Sequence, residues 1–169
     1  ARKDVWSTGH RNPLGIAFDP ATRNLWLHEM GPLGGDELNL IAKGADYGWP
    51  AVSNGDHYDK QKIPRHDTRP EFVKPVVTWT PVISPAGLTF YTGSRFSGWT
   101  GKALIGGLSS KAIVVVDVKG ETASEFERID MGMRIRDVVE AGDGSIYVLK
   151  DGEDGGLMKL SPNQKDARG

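Results

Sequence analysis

Apolar and polar residues alternate with a period of two along much of this chain. Leu88-Thr89-Phe90-Tyr91 and Ser145-Ile146-Tyr147-Val148 are two such runs. Successive side chains of a strand point to opposite faces, so this period marks strands with one face buried. Val, Ile, Phe, Tyr and Trp fill the runs, and Gly, Pro, Asn or Asp bound them. The pattern predicts strands over Gly15–Asp19, Asn24–Met30, Glu37–Ile41, Val76–Trp79, Gly87–Thr92 and Ala103–Leu108. It predicts five more over Ala112–Lys119, Glu125–Asp130, Arg136–Ala141, Ser145–Lys150 and Gly156–Leu160. No segment carries a capped apolar stripe of helical period. The class is all-β.

A repeat runs through these strands. Asn12-Pro13-Leu14-Gly15-Ile16-Ala17-Phe18-Asp19 is followed by Leu25-Trp26-Leu27, and Ser84-Pro85-Ala86-Gly87-Leu88-Thr89-Phe90-Tyr91 by Ala103-Leu104-Ile105. Arg136-Asp137-Val138-Val139-Glu140-Ala141 is followed by Ser145-Ile146-Tyr147-Val148. The last two copies start about 50 residues apart, a spacing within the range of propeller blades. The first interval is longer. Its extra residues, Ser53–Lys74, are polar and charged and read as a surface loop leaving a blade. Three copies make roughly three blades. A propeller closes its ring to protect strand edges, so three blades call for a missing half or a second copy of the chain.

Composition narrows the function. The 21 basic and 22 acidic residues nearly cancel, which argues against a general nucleic-acid surface. No apolar run approaches the ~20 residues of a membrane-spanning helix. The absence of cysteine excludes disulfides and thiolate metal sites. The 169 residues suit one domain, read here as 1–162 with a polar tail at 163–169. The chain opens on Ala1-Arg2-Lys3-Asp4 without Met or a signal-peptide pattern, and we read it as cut from a longer one.

Two segments could carry chemistry. Arg11-Asn12 precedes the first repeat strand, and Arg134-Ile135-Arg136 leads into the third. Arginines at i and i+2 on an extended segment share a side, and their forks match carboxylates. They either grip a polyanion at one end of a central channel or pair in solvent with Asp137 or Asp130. Glu29-Met30-Gly31-Pro32-Leu33-Gly34-Gly35-Asp36-Glu37 is turn-rich, with carbonyls that could ligate a hard cation and an acidic pair adding negative potential. An ordinary hairpin loop is the alternative. His10, His28, His57 and His66 show no metal spacing. His10 adjoins Arg11-Asn12 but reads more readily as a structural or surface histidine.

Five ordered strings resemble the glucose/sorbosone dehydrogenases, soluble quinoproteins that use pyrroloquinoline quinone (PQQ). They are Gly9-His10-Arg11-Asn12-Pro13-Leu14-Gly15; Glu29-Met30-Gly31-Pro32 running into Gly35-Asp36-Glu37-Leu38-Asn39-Leu40-Ile41; Tyr47-Gly48-Trp49-Pro50; Trp79-Thr80-Pro81 with Ser84-Pro85-Ala86-Gly87; and Arg134-Ile135-Arg136-Asp137-Val138. The resemblance reaches to about Pro162. It implies a six-bladed β-propeller of which this chain is the C-terminal half. It implies that Arg11, Asn12, Arg134 and Arg136 bind PQQ, and that the carbonyls of Gly31 and Pro32 bind calcium. The implied activity is oxidation of the C1 hydroxyl of an aldose sugar to a lactone, in the periplasm or outside the cell.

The family's catalytic histidine belongs to the other half, and that role is not transferred to His10. Ser109 stands where the family has a lysine, with Lys111 two residues on. Val82 and Met30 replace residues that are commonly polar. These losses lower the expected PQQ affinity and leave a rival open: an inactive propeller that binds sugars or a protein. A second rival is a half-propeller that closes its ring with its own copy. Alone, the fragment is expected to be inactive.

Overall fold

The computed structural model describes residues 4–162, so the expected polar tail at 163–169 lies outside the described residues. Within them lie eleven strands and one short 3-10 turn, His66–Thr68. The first sheet has the order β1 (Pro13–Phe18), β2 (Leu25–Glu29), β3 (Asp36–Leu40), β4 (Val77–Trp79). The second runs β5 (Pro85–Phe90), β6 (Ala103–Gly107), β7 (Ala112–Lys119), β8 (Thr122–Asp130). The third has β9 (Ile135–Glu140), β10 (Ile146–Lys150) and β11 (Gly156–Leu160). Every neighbouring pair is antiparallel. Each sequence-predicted strand is present, with ends shifted by up to three residues. The three sheets are three consecutive blades, with β1, β5 and β9 packed side by side.

The core lies between blades. Trp26, Leu38 and Trp79 of the first blade meet Phe90, Ile105, Val114 and Val116 of the second. Leu104, Ile113 and Val115 of the second meet Ile135, Val138, Ile146 and Val148 of the third. The middle blade is therefore covered on both faces. That is why Ile113-Val114-Val115-Val116 is continuously apolar, while β10 of the third blade alternates. Leu14, Ile16 and Phe18 on the first blade, and Val139, Leu149 and Leu157 on the third, remain exposed. Covering such side chains is worth about 1.5–3 kcal/mol each, so both end faces favour a further packing partner.

The leading strand of each blade carries a β-bulge near its start. The extra residue is Leu14 in β1, Gly87 in β5 and Arg136 in β9. Bulges re-aim neighbouring side chains. Glycine follows or fills the first two because the backbones crowd there. A Cβ on Gly15 would sit 2.2 Å from His28 Nε2, and one on Gly87, at φ +64°, 2.3 Å from Asp137 Oδ1. His28 Nε2 in turn donates to the Gly87 carbonyl at 2.8 Å. The third residues of β1, β5 and β9 thus form a line across the blades, and the turns leading into the three strands gather at one end.

The segment expected as a surface loop, Ser53–Lys74, is only partly that. Ser53, Ile63 and His66 are buried. Arg65 donates to the Ser53 and Gly55 carbonyls and to Asp56, folding the loop on itself. A two-residue bridge between Leu33 and Asp56 ties it to the β2–β3 turn.

Two predictions follow from the His28 seam. Gly15→Ala must push the His28 ring off Gly87 and is expected to destabilise the protein by about 1–3 kcal/mol in urea unfolding. Burial lowers the His28 pKa to about 4. The unfolded chain then binds a proton that the folded one refuses, so this stability is complete above pH 6.5 and is lost as pH falls through about 4. Relative to His28→Gln, the native protein should lose on the order of 3 kcal/mol across that window. A flat difference between the two would contradict the assignment.

Candidate functional site

The turns into β1 and β5, with the β2–β3 connection, enclose an open cavity of about 370 Å³, a size that suits a small organic ligand. Arg11 and Asn12 line it from the turn before β1, and Met30 to Gly34 with Asp36 from the β2–β3 connection. Val82 and Ser84 enter from the turn before β5, and Tyr58 from the β3–β4 loop. Four of the six site residues expected from sequence, Arg11, Asn12, Gly31 and Pro32, therefore meet around one space.

Arg11 is held on one side only. Its Nη1 donates to the Met30 carbonyl at 2.9 Å and its Nη2 to Tyr58 Oη at 3.3 Å. The guanidinium lies 5.3 Å from the Trp49 ring centroid and 5.8 Å from that of Tyr58, within cation–π range. Its other N–H groups have no acceptor among the described residues, and neither has the Asn12 side-chain amide a partner there. Both remain available to a ligand.

The β2–β3 turn is built to present carbonyls. A Cβ on Gly31 would lie 2.3 Å from the oxygens of both Gly34 and Gly35, so only glycine fits. Gly34 and Gly35 take φ of +88° and +70°, where side chains are strained. The Asp36 carboxylate accepts the Gly31 N–H at 2.9 Å. The carbonyl oxygens of Gly31 and Pro32 accept no hydrogen bond among the described residues. Free carbonyls suit a hard cation, so the donor set fits calcium. The unpartnered Arg11 and Asn12 donors beside them fit a carboxylate-bearing cofactor.

The acidic pair, expected to add negative potential at this turn, is engaged inside the protein. Asp36 and Glu37 are both buried. Burial raises the Asp36 pKa, offset in part by the N–H groups of Ser84 and Gly31. Burial and the charge of Glu29 push Glu37 up to about 8. Their work is internal: Asp36 also accepts the Ser84 N–H at 2.7 Å and so joins the first two blades.

Arg134 and Arg136 do not line this cavity. They do share a side, as their spacing requires, because both reach Asp151, at 2.7 and 3.0 Å. Asp151, and neither Asp130 nor Asp137, is their partner, and its pKa is lowered chiefly by the two arginine hydrogen bonds. Both guanidiniums are about half exposed. His10 is structurally engaged: Nδ1 lies 3.0 Å from Glu29, Nε2 2.9 Å from Ser7 Oγ, and the ring stacks on Tyr47. Ser109 Oγ donates to the Val82 carbonyl at 3.1 Å, and Lys111 does not line the cavity. Asp56 is paired with Lys62 and Arg65. No cluster of three or more His, Asp or Glu able to hold a metal occurs among the described residues. Sequence reasoning missed Tyr58, and it named Trp49 and Glu29 only within longer strings, without a role. An acidic residue closing the apolar run Leu25-Trp26-Leu27-His28 was the available signal for Glu29.

The family model for glucose/sorbosone dehydrogenase matches residues 1–159. Aldose sugar dehydrogenase YliI of Escherichia coli K12 is 43% identical over 96% of this chain and 45% of its own length. The crystal structure of the apo form of the soluble aldose sugar dehydrogenase from Escherichia coli superposes with a TM-score of 0.86 at 40% identity, over 96% of this chain and 48% of that one. The PQQ-bound aldose sugar dehydrogenase from Streptomyces coelicolor gives 0.68 at 26% identity, over 93% and 45%. The chain thus spans about half the length of these relatives. Its three blades are of the six-bladed β-propeller type, and no helix among the described residues is long and apolar enough to cross a membrane. The chain belongs to the glucose/sorbosone dehydrogenase family.

Proposed function

We propose that this chain supplies one wall of a PQQ- and calcium-dependent aldose dehydrogenase site. One observation carries the reading: the free carbonyls of Gly31 and Pro32 share a cavity with the unpartnered donors of Arg11 and Asn12. Gly31 and Pro32 would hold the cation, and Arg11 and Asn12 would bind the cofactor. Arg134 and Arg136, outside the cavity and paired with Asp151, would have to leave that partner to bind its carboxylates. PQQ with calcium supplies a quinone that accepts two electrons, polarised by the cation. The reaction is oxidation of an aldose at its C1 hydroxyl to the lactone, in the periplasm or outside the cell.

The proton acceptor comes from outside residues 4–162. His10 is committed to Glu29 and Ser7 and does not line the cavity. The exposed apolar faces of the first and third blades fit a ring completed by a further half, or by a second copy of the chain. Residues 1–169 alone, given PQQ, calcium and glucose, are therefore expected to reduce no dye acceptor. Turnover at a rate usual for intact dehydrogenases would contradict this.

A second reading has its own support. Met30 and Val82 give the cavity apolar sides, and Asp151 already neutralises the arginine pair. These features favour an inactive propeller that binds sugar or protein. Calorimetric titration of PQQ separates the two. Calcium-dependent binding that weakens about tenfold or more with Arg11→Ala or Arg134→Ala, each a loss of charge-assisted hydrogen bonds, supports the dehydrogenase. A folded protein that binds no PQQ at millimolar calcium supports the binding module.

A further inference from the structure

We propose that Glu29 is a positioning residue, whose buried carboxylate sets the backbone of Arg11 and Asn12 and so aims the cofactor-facing side of the cavity. The inference rests on the cofactor reading above and assigns a role to a residue that itself needs no contact with the ligand.

Arg11 and Asn12 lie just ahead of β1, beyond the reach of its ladder. The first ladder pair sets Pro13 opposite Glu29, and proline has no N–H to give. The backbone ladder therefore cannot fix this turn by itself. The Glu29 side chain takes over. Its Oε2 accepts the Arg11 N–H at 2.6 Å and the Asn12 N–H at 3.3 Å. Its Oε1 lies 3.0 Å from His10 Nδ1 and accepts the Asn39 amide at 3.2 Å. The Met30 N–H closes the loop on the Asn12 carbonyl at 3.1 Å.

The carboxylate is only 3% exposed. Such a group needs nearly all its lone pairs filled, and here the donors come from two directions. Asn39 on β3 fixes it from the sheet side and is itself shared with Glu37 at 3.3 Å. His10, Arg11 and Asn12 receive that fixed position from the turn side. Hydrogen bonds to an ionised acceptor are short and roughly twice as strong as neutral ones. The result is a rigid lever running from β3 through Glu29 to the two residues that face the ligand.

Glu29→Gln tests this, because it keeps the size of the side chain but turns one acceptor into a donor facing a backbone N–H. Hydrogen exchange at Arg11 and Asn12 is expected to speed up by about tenfold or more, the scale of one lost charged hydrogen bond. PQQ affinity at saturating calcium should weaken by about tenfold for the same reason. The double variant with Arg11→Ala should lose less affinity than the two single losses multiplied, since Glu29 acts in part through that residue and otherwise through Asn12. Unchanged exchange, unchanged affinity, or losses that multiply in the double variant would overturn the proposal. Arg11→Ala that leaves PQQ binding intact would instead overturn the cofactor reading, and the exchange result would still decide what Glu29 holds. Should Glu29→Gln fail to fold, the native protein suffices: the Arg11 amide should exchange slowly and resonate downfield despite lying outside any strand. Free exchange at that amide would sink the idea.

Discussion

The site depends on buried carboxylates that satisfy backbone N–H groups no strand can reach. Asp36 is the central case. It leaves water almost completely, which by itself disfavours its charge, and it is compensated by the N–H groups of Gly31 and Ser84. The first of these belongs to the carbonyl-bearing turn of its own blade, the second to the turn leading into the next blade. One side chain therefore fixes the shape of the turn and its distance from the neighbouring blade. Removing it would strand two donors, at a cost of about 1–3 kcal/mol for each left unsatisfied. It would also free the turn whose carbonyls line the cavity.

The strands were legible because burial here follows a period of two and the turns are marked by Gly, Pro, Asn and Asp. The repeat was legible for a deeper reason. Gly15 and Gly87 stand at equivalent bulges where a side chain would strike His28 or Asp137, so the geometry of the blade seam writes itself into the sequence. Arg136 occupies the third bulge without a glycine, which made that copy look less like the others.

What was not legible involves partners chosen by tertiary structure. Asp151 answers Arg134 and Arg136 across the β9–β10 hairpin, whereas Asp137 and Asp130, nearer in sequence, do not. Asp36 and Glu37 are adjacent, and alternation would send one of them to solvent. Both are buried because each face of β3 is covered: Asp36 bonds Ser84 of the turn into the second blade, and Glu37 lies beside Tyr47, Ser53 and His66 of the following loop. Tyr58 sits in a charged segment that reads as a solvated loop. Only the bridge from Asp56 to Leu33 brings it beside Arg11.

The cavity wall and the arginine pair outside it differ in how far the fold has finished them. The wall formed by Arg11, Asn12, Gly31 and Pro32 lies at the seam of the first two blades, where Asp36, His28 and a closed apolar core hold the backbone. The arginine pair lies on the third blade, whose far face still exposes Val139, Leu149 and Leu157. Its guanidiniums rest on Asp151, a surface pairing of modest worth. A ligand carboxylate can compete for such a pair, while it could not displace the buried contacts at the first seam. Under the proposed cofactor reading, the rigid seam would hold the carbonyls offered to a cation, and the exchangeable pairing would be the one open to an anionic group.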